Sequence, residues 1–540
     1  MNIAHWPRIL VSKLPGRESA ARVPLHLVVP ALMVAGAMLL PLAYLLVRAA
    51  GADAAAWQQL FRPRIAEVLG RSVLLAFTVT LSANVIAIPL AYLTTRTDLP
   101  GRRVWSVITV LPLVIPSYVG AFALIAALGP RGLLQQMLAG PLGLSRLPNI
   151  YGFPGAWLTL TLFAYPYVLL SARGALLGLD PALEDAARSL GDSPWMVFRR
   201  VTLPQLRPAL LSGSLLVALY VLSDFGAVSM LRYTTFTRAI YVQYSASFDR
   251  NLAALLALVL VAITVVLLTA EAREQRRARA YYRAAARRRQ RVVRLGRWRW
   301  PALAFVTLIA LVALVIPLSV MAFWLVRGIR AGETFQLLIG PAWRSVLASG
   351  LAAGAALLGA LPVGLLVVRH GGRFSRLIER TSFVGYALPG IVVALALVFF
   401  GANFATPLYQ TLAMLVFAYV VRFMPQAVAT VRAALLQISP RLEEAARGLG
   451  ARTPRVLFTV TVPLVRSGLL SGAALVFLTS MKELPTTLLL APTGYDTLAT
   501  RVWSATEEAF YARAAAPALL LVAVSALSIG LILARDDAGR

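Results

Sequence analysis

No cysteine occurs anywhere in the 540 residues. That excludes a disulfide, a thiol nucleophile and a thiolate-bound metal. Histidine is nearly absent too: His5, His26 and His370 lie far apart and suggest no metal centre. The two lysines, Lys13 and Lys482, sit in no GxxxxGK[ST] loop, whose lysine must reach a nucleotide's phosphates. The chain therefore does not hydrolyse ATP by that chemistry. No catalytic residue is assigned, because no nucleophile, base and orienting group share a neighbourhood. Acids are scarce as well, 22 against 52 Lys plus Arg, for a net charge of +30.

What is abundant is hydrocarbon: 59% of residues are apolar and mean hydropathy is +0.76. A soluble domain could not bury that much, so the solvent is lipid. A helix crossing roughly 30 Å of hydrocarbon needs about 20 apolar residues. Such runs fall near 25–49, 72–94, 104–128, 156–175, 208–230 and 251–270, then 301–326, 345–368, 380–401, 407–430, 467–490 and 512–534. The expectation is an all-α polytopic membrane protein with about 12 spans. The first run is too long for a removable signal peptide and reads as an uncleaved span.

On a soluble chain the net charge would suggest nucleic acid. Here the cations sit in short loops, as the positive-inside rule requires of the cytoplasmic face. They include Arg8, Lys13, Arg17 and Arg22, then Arg96, Arg102 and Arg103, then Arg188, Arg199, Arg200 and Arg207. No nucleic-acid partner is expected, and both termini are placed in the cytoplasm of a bacterium, with the chain in its inner membrane. The expected layout is a cytoplasmic segment 1–24, a first membrane domain 25–270, a linker 271–300, a second membrane domain 301–534 and a tail 535–540. The linker carries twelve arginines. It reads as a basic tether on anionic lipid, with a regulatory or nucleic-acid arm as the alternative.

The two domains are copies. Arg71-Ser-Val-Leu matches Arg344-Ser-Val-Leu, Pro89 matches Pro362 and Pro116 matches Pro389, at an offset of 273. Pro166 and Pro425, Arg173 and Arg432, Gly213 and Gly472 match at 259. The difference, 273 − 259 = 14, places 14 extra residues in the first copy, within the Gly/Pro-rich loop 129–155. Six spans per copy is an even number, so both enter from one side and the repeat is parallel.

The most polar repeated element is LEDAARSLGDSPWMVFRRVTLP, from Leu183 to Pro204, and LEEAARGLGARTPRVLFTVTVP, from Leu442 to Pro463. Asp180-Pro181 and Ser439-Pro440 are helix-start pairs. A short helix then carries Glu184, Asp185, Ala186 and Ala187, or Glu443, Glu444, Ala445 and Ala446, and closes at Gly191 or Gly450. Ser193-Pro194 and Thr453-Pro454 open a second helix, expected to end before Pro204 or Pro463. Small alanines and acids in early turns suit a rigid contact with another protein. The plainer reading is an amphipathic helix pair on the membrane surface; duplication argues against it. Two equivalent surfaces call for a twofold partner.

Glu-Glu-Ala-Ala-Arg-x-Leu-Gly, with thirteen residues from Gly450 to Pro463, resembles the EAA loop of ATP-binding-cassette import permeases. The first copy differs only in having Asp185 where the second has Glu444. The resemblance implies a type I importer permease whose loops, 180–207 and 439–466, dock two copies of a cytoplasmic P-loop ATPase. It also implies that ATP is bound by that partner, that this chain binds no cofactor, and that a periplasmic binding protein delivers the substrate. DFGAVSML…YTTFTRAIY and KELPTTLLL…DTLATRVW resemble the fused two-half permeases for ferric iron. Thiamine permeases share that layout and remain open. An ion-coupled secondary transporter would match in length and hydropathy but has no use for the paired loops.

Asp224, Lys482 and Glu483 fall late in the fifth span of each copy, and charges at such depth are functional candidates. They are expected near the outer end, as a gate or as a structural ion pair, with Lys482 neutralising Glu483. Segments 233–244 and 492–503 are expected to be outer loops that meet the binding protein, or plain interfacial aromatics. The cysteine-free background allows a direct check of sidedness. Single cysteines replacing Asp185 or Glu444 should resist an impermeant maleimide in intact spheroplasts and react in inverted vesicles. Labelling in spheroplasts would refute the cytoplasmic placement.

Overall fold

The computed structural model describes residues 25–130, 132–142, 148–245, 250–282, 292–333 and 336–538. The expected cytoplasmic segment 1–24 and linker residues 283–291 lie outside them. Lipid offers the backbone no hydrogen bonds, so apolar runs of this length satisfy their own amides as helices. The first half contains α1 (Leu25–Ala50), α2 (Pro63–Arg96), α3 (Ser117–Leu128), α4 (Phe153–Gly178), the short α5 (Pro181–Ser189), α6 (Leu203–Ser223) and α7 (Arg250–Tyr282). The second half has α8 (Arg299–Ala310), α9 (Ile316–Arg330), α10 (Gln336–Leu365), α11 (Gly390–Phe404), α12 (Leu412–Leu436), α13 (Pro440–Gly448), α14 (Val462–Met481) and α15 (Tyr511–Ala538).

Among the described residues, 10 helices are long and apolar enough to cross a membrane alone, and one pair passes only together. The last helix adds a shorter apolar run, Tyr511–Leu527. In chain order these fall on the twelve expected segments, with several corrections of shape. The 104–128 segment is a short helix, Arg102–Ile108, a 3-10 turn and then α3. Its counterpart, 380–401, is bent by 103° between Gly372–Ala387 and Gly390–Phe404. Pro116 and Pro389 stand in extended backbone just before α3 and α11. A proline disfavours helical backbone in the residue before it and has no N–H for the helix ladder. The 208–230 and 467–490 segments are not single helices either; they break after Ser223 and Met481. The 14 extra residues of the first half coincide with an added helix, Leu133–Leu142.

Both ends of the expected linker 271–300 are helical. Its first residues prolong α7 to Tyr282, and its last begin α8. Between them Val293 pairs with Thr97 as an isolated parallel bridge. Val293 N–H donates to Arg96 O at 2.8 Å, and Leu295 N–H to Asp98 Oδ1 at 2.8 Å.

Each half is built on a three-helix core, α2 with α4 and α6, and α10 with α12 and α14. The matched glycines permit it. A Cβ on Gly213 would meet Ser171 Cβ at 3.1 Å, and one on Gly472 would meet Thr430 Oγ1 at 2.4 Å. The outer helices cross over: α1 lies on α10 and α11, while α9 lies on α3. Tyr44 donates to Phe399 O at 3.3 Å and Thr264 to Ala387 O at 2.6 Å, both between halves.

Filling the α12–α14 approach tests this packing. Gly472→Val should destabilise the detergent-solubilised protein by about 1–3 kcal/mol through overpacking. Adding Thr430→Ala should restore part of the loss, read as the thermal unfolding midpoint. A Gly472→Val variant as stable as the parent would contradict the close approach.

Candidate functional site

Up to their glycine both repeated loops form the expected short helix, but only the first has the expected side-chain cap. Asp180 caps α5 by accepting from Ala182 N–H at 3.0 Å, whereas Ser439 makes no such bond. At the other end Gly191 has φ +91° and Gly450 φ +86°, the left-handed conformation that glycine adopts at no steric cost. Asp192 N–H donates to Ala187 O at 3.1 Å and Ala451 N–H to Ala446 O at 3.1 Å, the closing bonds of a Schellman motif.

Beyond the glycine the expectation fails. The second helix does not end before Pro204 or Pro463. It passes through a π turn, Phe198–Thr202 or Leu457–Thr461, straight into α6 or α14. Pro204 and Pro463 are each the second residue of that next segment. A proline has no N–H to give, and the wider turn before it absorbs the missing bond. The loop is therefore stiffly joined to a membrane helix.

The acids divide by role. Glu184 and Glu443, expected to flank a partner contact, are both buried. Arg96 Nη2 reaches Glu184 Oε1 at 2.5 Å, and Thr202 Oγ1 donates to the same oxygen at 2.9 Å. The second copy repeats this: Arg369 Nη2 lies 3.0 Å from Glu443 Oε1, and Thr461 Oγ1 donates at 3.1 Å. Each glutamate thus ties its loop to the π turn beside it and to the end of the half's first core helix, at Arg96 in α2 and at Arg369 in the π turn Leu366–His370 that prolongs α10. Asp185 and Glu444 are exposed, as are Ala186 and Ala445, while Ala187 and Ala446 are half-buried. Beside them stand large apolar side chains in open view: Leu183 54%, Leu190 88%, Leu442 50% and Leu449 90% exposed. Sequence reasoning passed over these leucines, although they recur at the 259 offset and sit among polar residues.

Deeper in the protein, α6 and α14 break at the other singled-out charges. Asp224 accepts from the Ser117 hydroxyl and from the amides of Ala227 at 3.0 Å and Val228 at 3.2 Å, capping a half-helix. Glu483 accepts from Thr486 Oγ1 at 2.7 Å. Its cation is not Lys482 but Arg422, whose Nε lies 2.9 Å from Glu483 Oε2. Lys482 Nζ instead donates to Leu113 O in the first half at 3.3 Å. Nor is this the outer end: Arg422 is the eleventh residue of the 25-residue α12. Gly390 makes room for the pair, since a Cβ there would meet Glu483 Oε1 at 2.4 Å.

The model of the binding-protein-dependent transport system inner membrane component family matches residues 83–279 and 355–535, one stretch in each half. The chain belongs to that family. The permease is 33% identical over 517 residues to the Fe(3+)-transport system permease protein FbpB 2 of Haemophilus influenzae, covering 95% of this chain and 98% of that one. It is 23% identical to the ferric transport system permease protein FbpB of Actinobacillus pleuropneumoniae, across 85% of this chain and 70% of that one. The molybdenum transport system permease protein ModB of Escherichia coli is 32% identical over 161 residues, 29% of this chain and 69% of that protein. The permease is thus a fused two-half membrane component of an ATP-binding-cassette transport system.

Opposite the loops, segments 233–244 and 492–503 of the permease run into short helices, Phe236–Ser245 and Leu498–Glu507. The matched Arg-Ser pairs hold them. Tyr233 donates to Arg71 O at 3.1 Å and Tyr495 to Arg344 O at 2.9 Å. Phe236 N–H donates to Ser72 Oγ at 3.0 Å and Leu498 N–H to Ser345 Oγ at 2.8 Å. At the end of the second helix, burial pushes the Glu507 carboxyl above its usual range, opposed by a bond from Trp503. Among the described residues no three His, Cys, Asp or Glu side chains group as metal ligands.

The Arg–Glu tie yields a test. Removing one partner of a buried pair costs roughly 3–5 kcal/mol, while apolar replacement of both is often neutral. Arg96→Ala should therefore raise amide exchange across Leu183–Leu190, and Arg96→Met with Glu184→Leu should return it toward the parent. Equal exchange in parent and Arg96→Ala would show that the tie does not hold the loop.

Proposed function

We propose that the permease forms the membrane path of an importer that carries ferric iron. In this reading two copies of a separate P-loop ATPase bind α5 and α13 on the cytoplasmic side of a bacterial inner membrane. A periplasmic binding protein hands substrate to the opposite face, near the Phe236–Ser245 and Leu498–Glu507 helices. The observation that carries the ATPase part is the pair of stiff loops, each presenting two exposed leucines beside a buried Arg–Glu tie. Apolar anchors ringed by polar side chains are what a protein partner buries. ATP binds to that partner, and this chain needs no cofactor of its own.

Iron as cargo is supported by likeness along nearly the whole chain to a permease named for Fe(3+) transport. Molybdenum and sulfate permeases match only part of it. A thiamine or other small-solute importer is the second reading. A secondary transporter gains one point from the mid-depth acids but leaves the docking loops without a use.

Two measurements test the proposal. Cells whose other iron uptake systems are deleted should accumulate radioactive ferric iron only with the permease, its ATPase and its binding protein together. Leu190→Ser with Leu449→Ser should lose co-purification of the ATPase. Glu483→Gln should keep the ATPase bound but cut uptake about tenfold, the scale of roughly 1.4 kcal/mol. Uptake of molybdate or thiamine instead of iron would overturn the cargo, and leucine variants that still retain the ATPase would overturn the docking surface.

A further inference from the structure

The last carbonyls of a helix have no partner in its own ladder. Where α2 ends, the chain that joins the two halves supplies one. Val293 N–H donates to Arg96 O at 2.8 Å, and Asp98 N–H donates to Val293 O at 3.1 Å. Asp98 Oδ1 in turn accepts from Leu295 N–H at 2.8 Å. These three bonds staple residues 293–295 beside Arg96, whose side chain, 2% exposed, holds Glu184 and with it the first loop.

The second half is built differently at this point. At the 273 offset Thr97 corresponds to His370, and the Thr97–Val293 bridge is the one isolated bridge among the described residues. His370 is followed instead by Gly371 and Gly372, with φ of +50° and +96°.

Directly after the staple comes an exposed face of mixed rings and cations. Trp298 is 63% and Trp300 73% exposed, and Arg294, Arg297 and Arg299 are exposed around them. None of the three arginines enters an ion pair among the described residues. Both tryptophans stand at the start of the membrane-length segment Gly296–Arg330. That is the depth at which indole rings gather in a bilayer. Arginine and tryptophan alternate as RWRW at 297–300, which fits phosphate oxygens above and hydrocarbon below.

We propose that residues 294–300 bind anionic phospholipid on the loop side of the membrane, and that the staple passes this hold to the first loop alone. That side is cytoplasmic on the reading above, from which only the sidedness is taken. Lipid that restrains the RWRW turn restrains the strand at Val293, then Arg96, then Glu184. The two loops of the fused chain thereby differ. One answers to the charge of the surrounding leaflet and the other does not.

The test uses the full-length permease in nanodiscs of phosphatidylcholine alone or in equal mixture with phosphatidylglycerol. Hydrogen exchange at 183–190 should slow about fivefold in the mixed discs, the scale set by one cation's attraction to an anionic surface. Exchange at 442–449 should not change. Arg294→Gln with Arg297→Gln and Arg299→Gln should abolish the difference between discs. Val293→Pro deletes the N–H given to Arg96; it should keep the lipid contact and make the first loop indifferent to it.

The lipid contact is read separately, as quenching of Trp298 and Trp300 by brominated lipid, taken as parent minus Trp298→Phe with Trp300→Phe. Brominated phosphatidylglycerol should quench that share more than brominated phosphatidylcholine, in the parent and in Val293→Pro alike. Equal quenching by the two lipids in the parent overturns the anionic-lipid site. A lipid response in both loops or in neither, or one that survives Val293→Pro, overturns the role of the staple. The thermal unfolding midpoint checks that each variant is folded; should Val293→Pro unfold, Asp98→Ala, which removes the acceptor of Leu295, takes its place. No ATPase and no iron enter these assays, so their failure leaves the importer reading standing, and maleimide labelling decides the sidedness by itself.

Discussion

A glutamate buried against an arginine and a threonine sets the mechanics of each half. A short helix outside the membrane has little to hold it, since most helical stability comes from tertiary packing. Glu184 and Glu443 supply the missing hold by reaching back to Arg96 and Arg369, at the ends of the first core helices. The same oxygens take the Thr202 and Thr461 hydroxyls, which the π turns present. Push on either loop and the force goes at once to two core helices. Without that tie the exposed leucines would ride on a loose arm, and a partner's movement would be spent bending it.

Much of this was legible in the chain. Hydropathy located the spans, matched prolines and glycines located the repeat, and turn chemistry located the loops up to Gly191 and Gly450. The arithmetic of the offsets even placed the extra helix of the first half. What escaped were facts that depend on residues distant in sequence. Glu184 looks like a surface acid until Arg96 is brought beside it. Lys482 looks like the partner of Glu483 because it is adjacent, yet the backbone break turns it toward Leu113 and leaves Glu483 to Arg422. Hydropathy also cannot see the break at Pro116, because residues 111–115 before it and Ser117–Leu128 after it are both apolar.

The two halves share a frame and diverge at its centre. Where the first half has Ser117 against Asp224, the second has Gly390 clearing space for an arginine–glutamate pair. Fusion of the copies into one chain permits such divergence, since each position can specialise without its twin following. A polar break supported from both sides, one neutral and one ionic, is an arrangement that two identical subunits could not make.

The crossing of the outer helices bears on how such a molecule can move. With α1 lying on α10 and α11, and α9 lying on α3, each lobe is clasped by an arm of the other. The lobes cannot swing apart like the covers of a book without tearing those arms from their seats. Any widening of the seam must come from sliding along the clasped surfaces, a shear in which hydrocarbon stays against hydrocarbon and lipid is kept out of the middle.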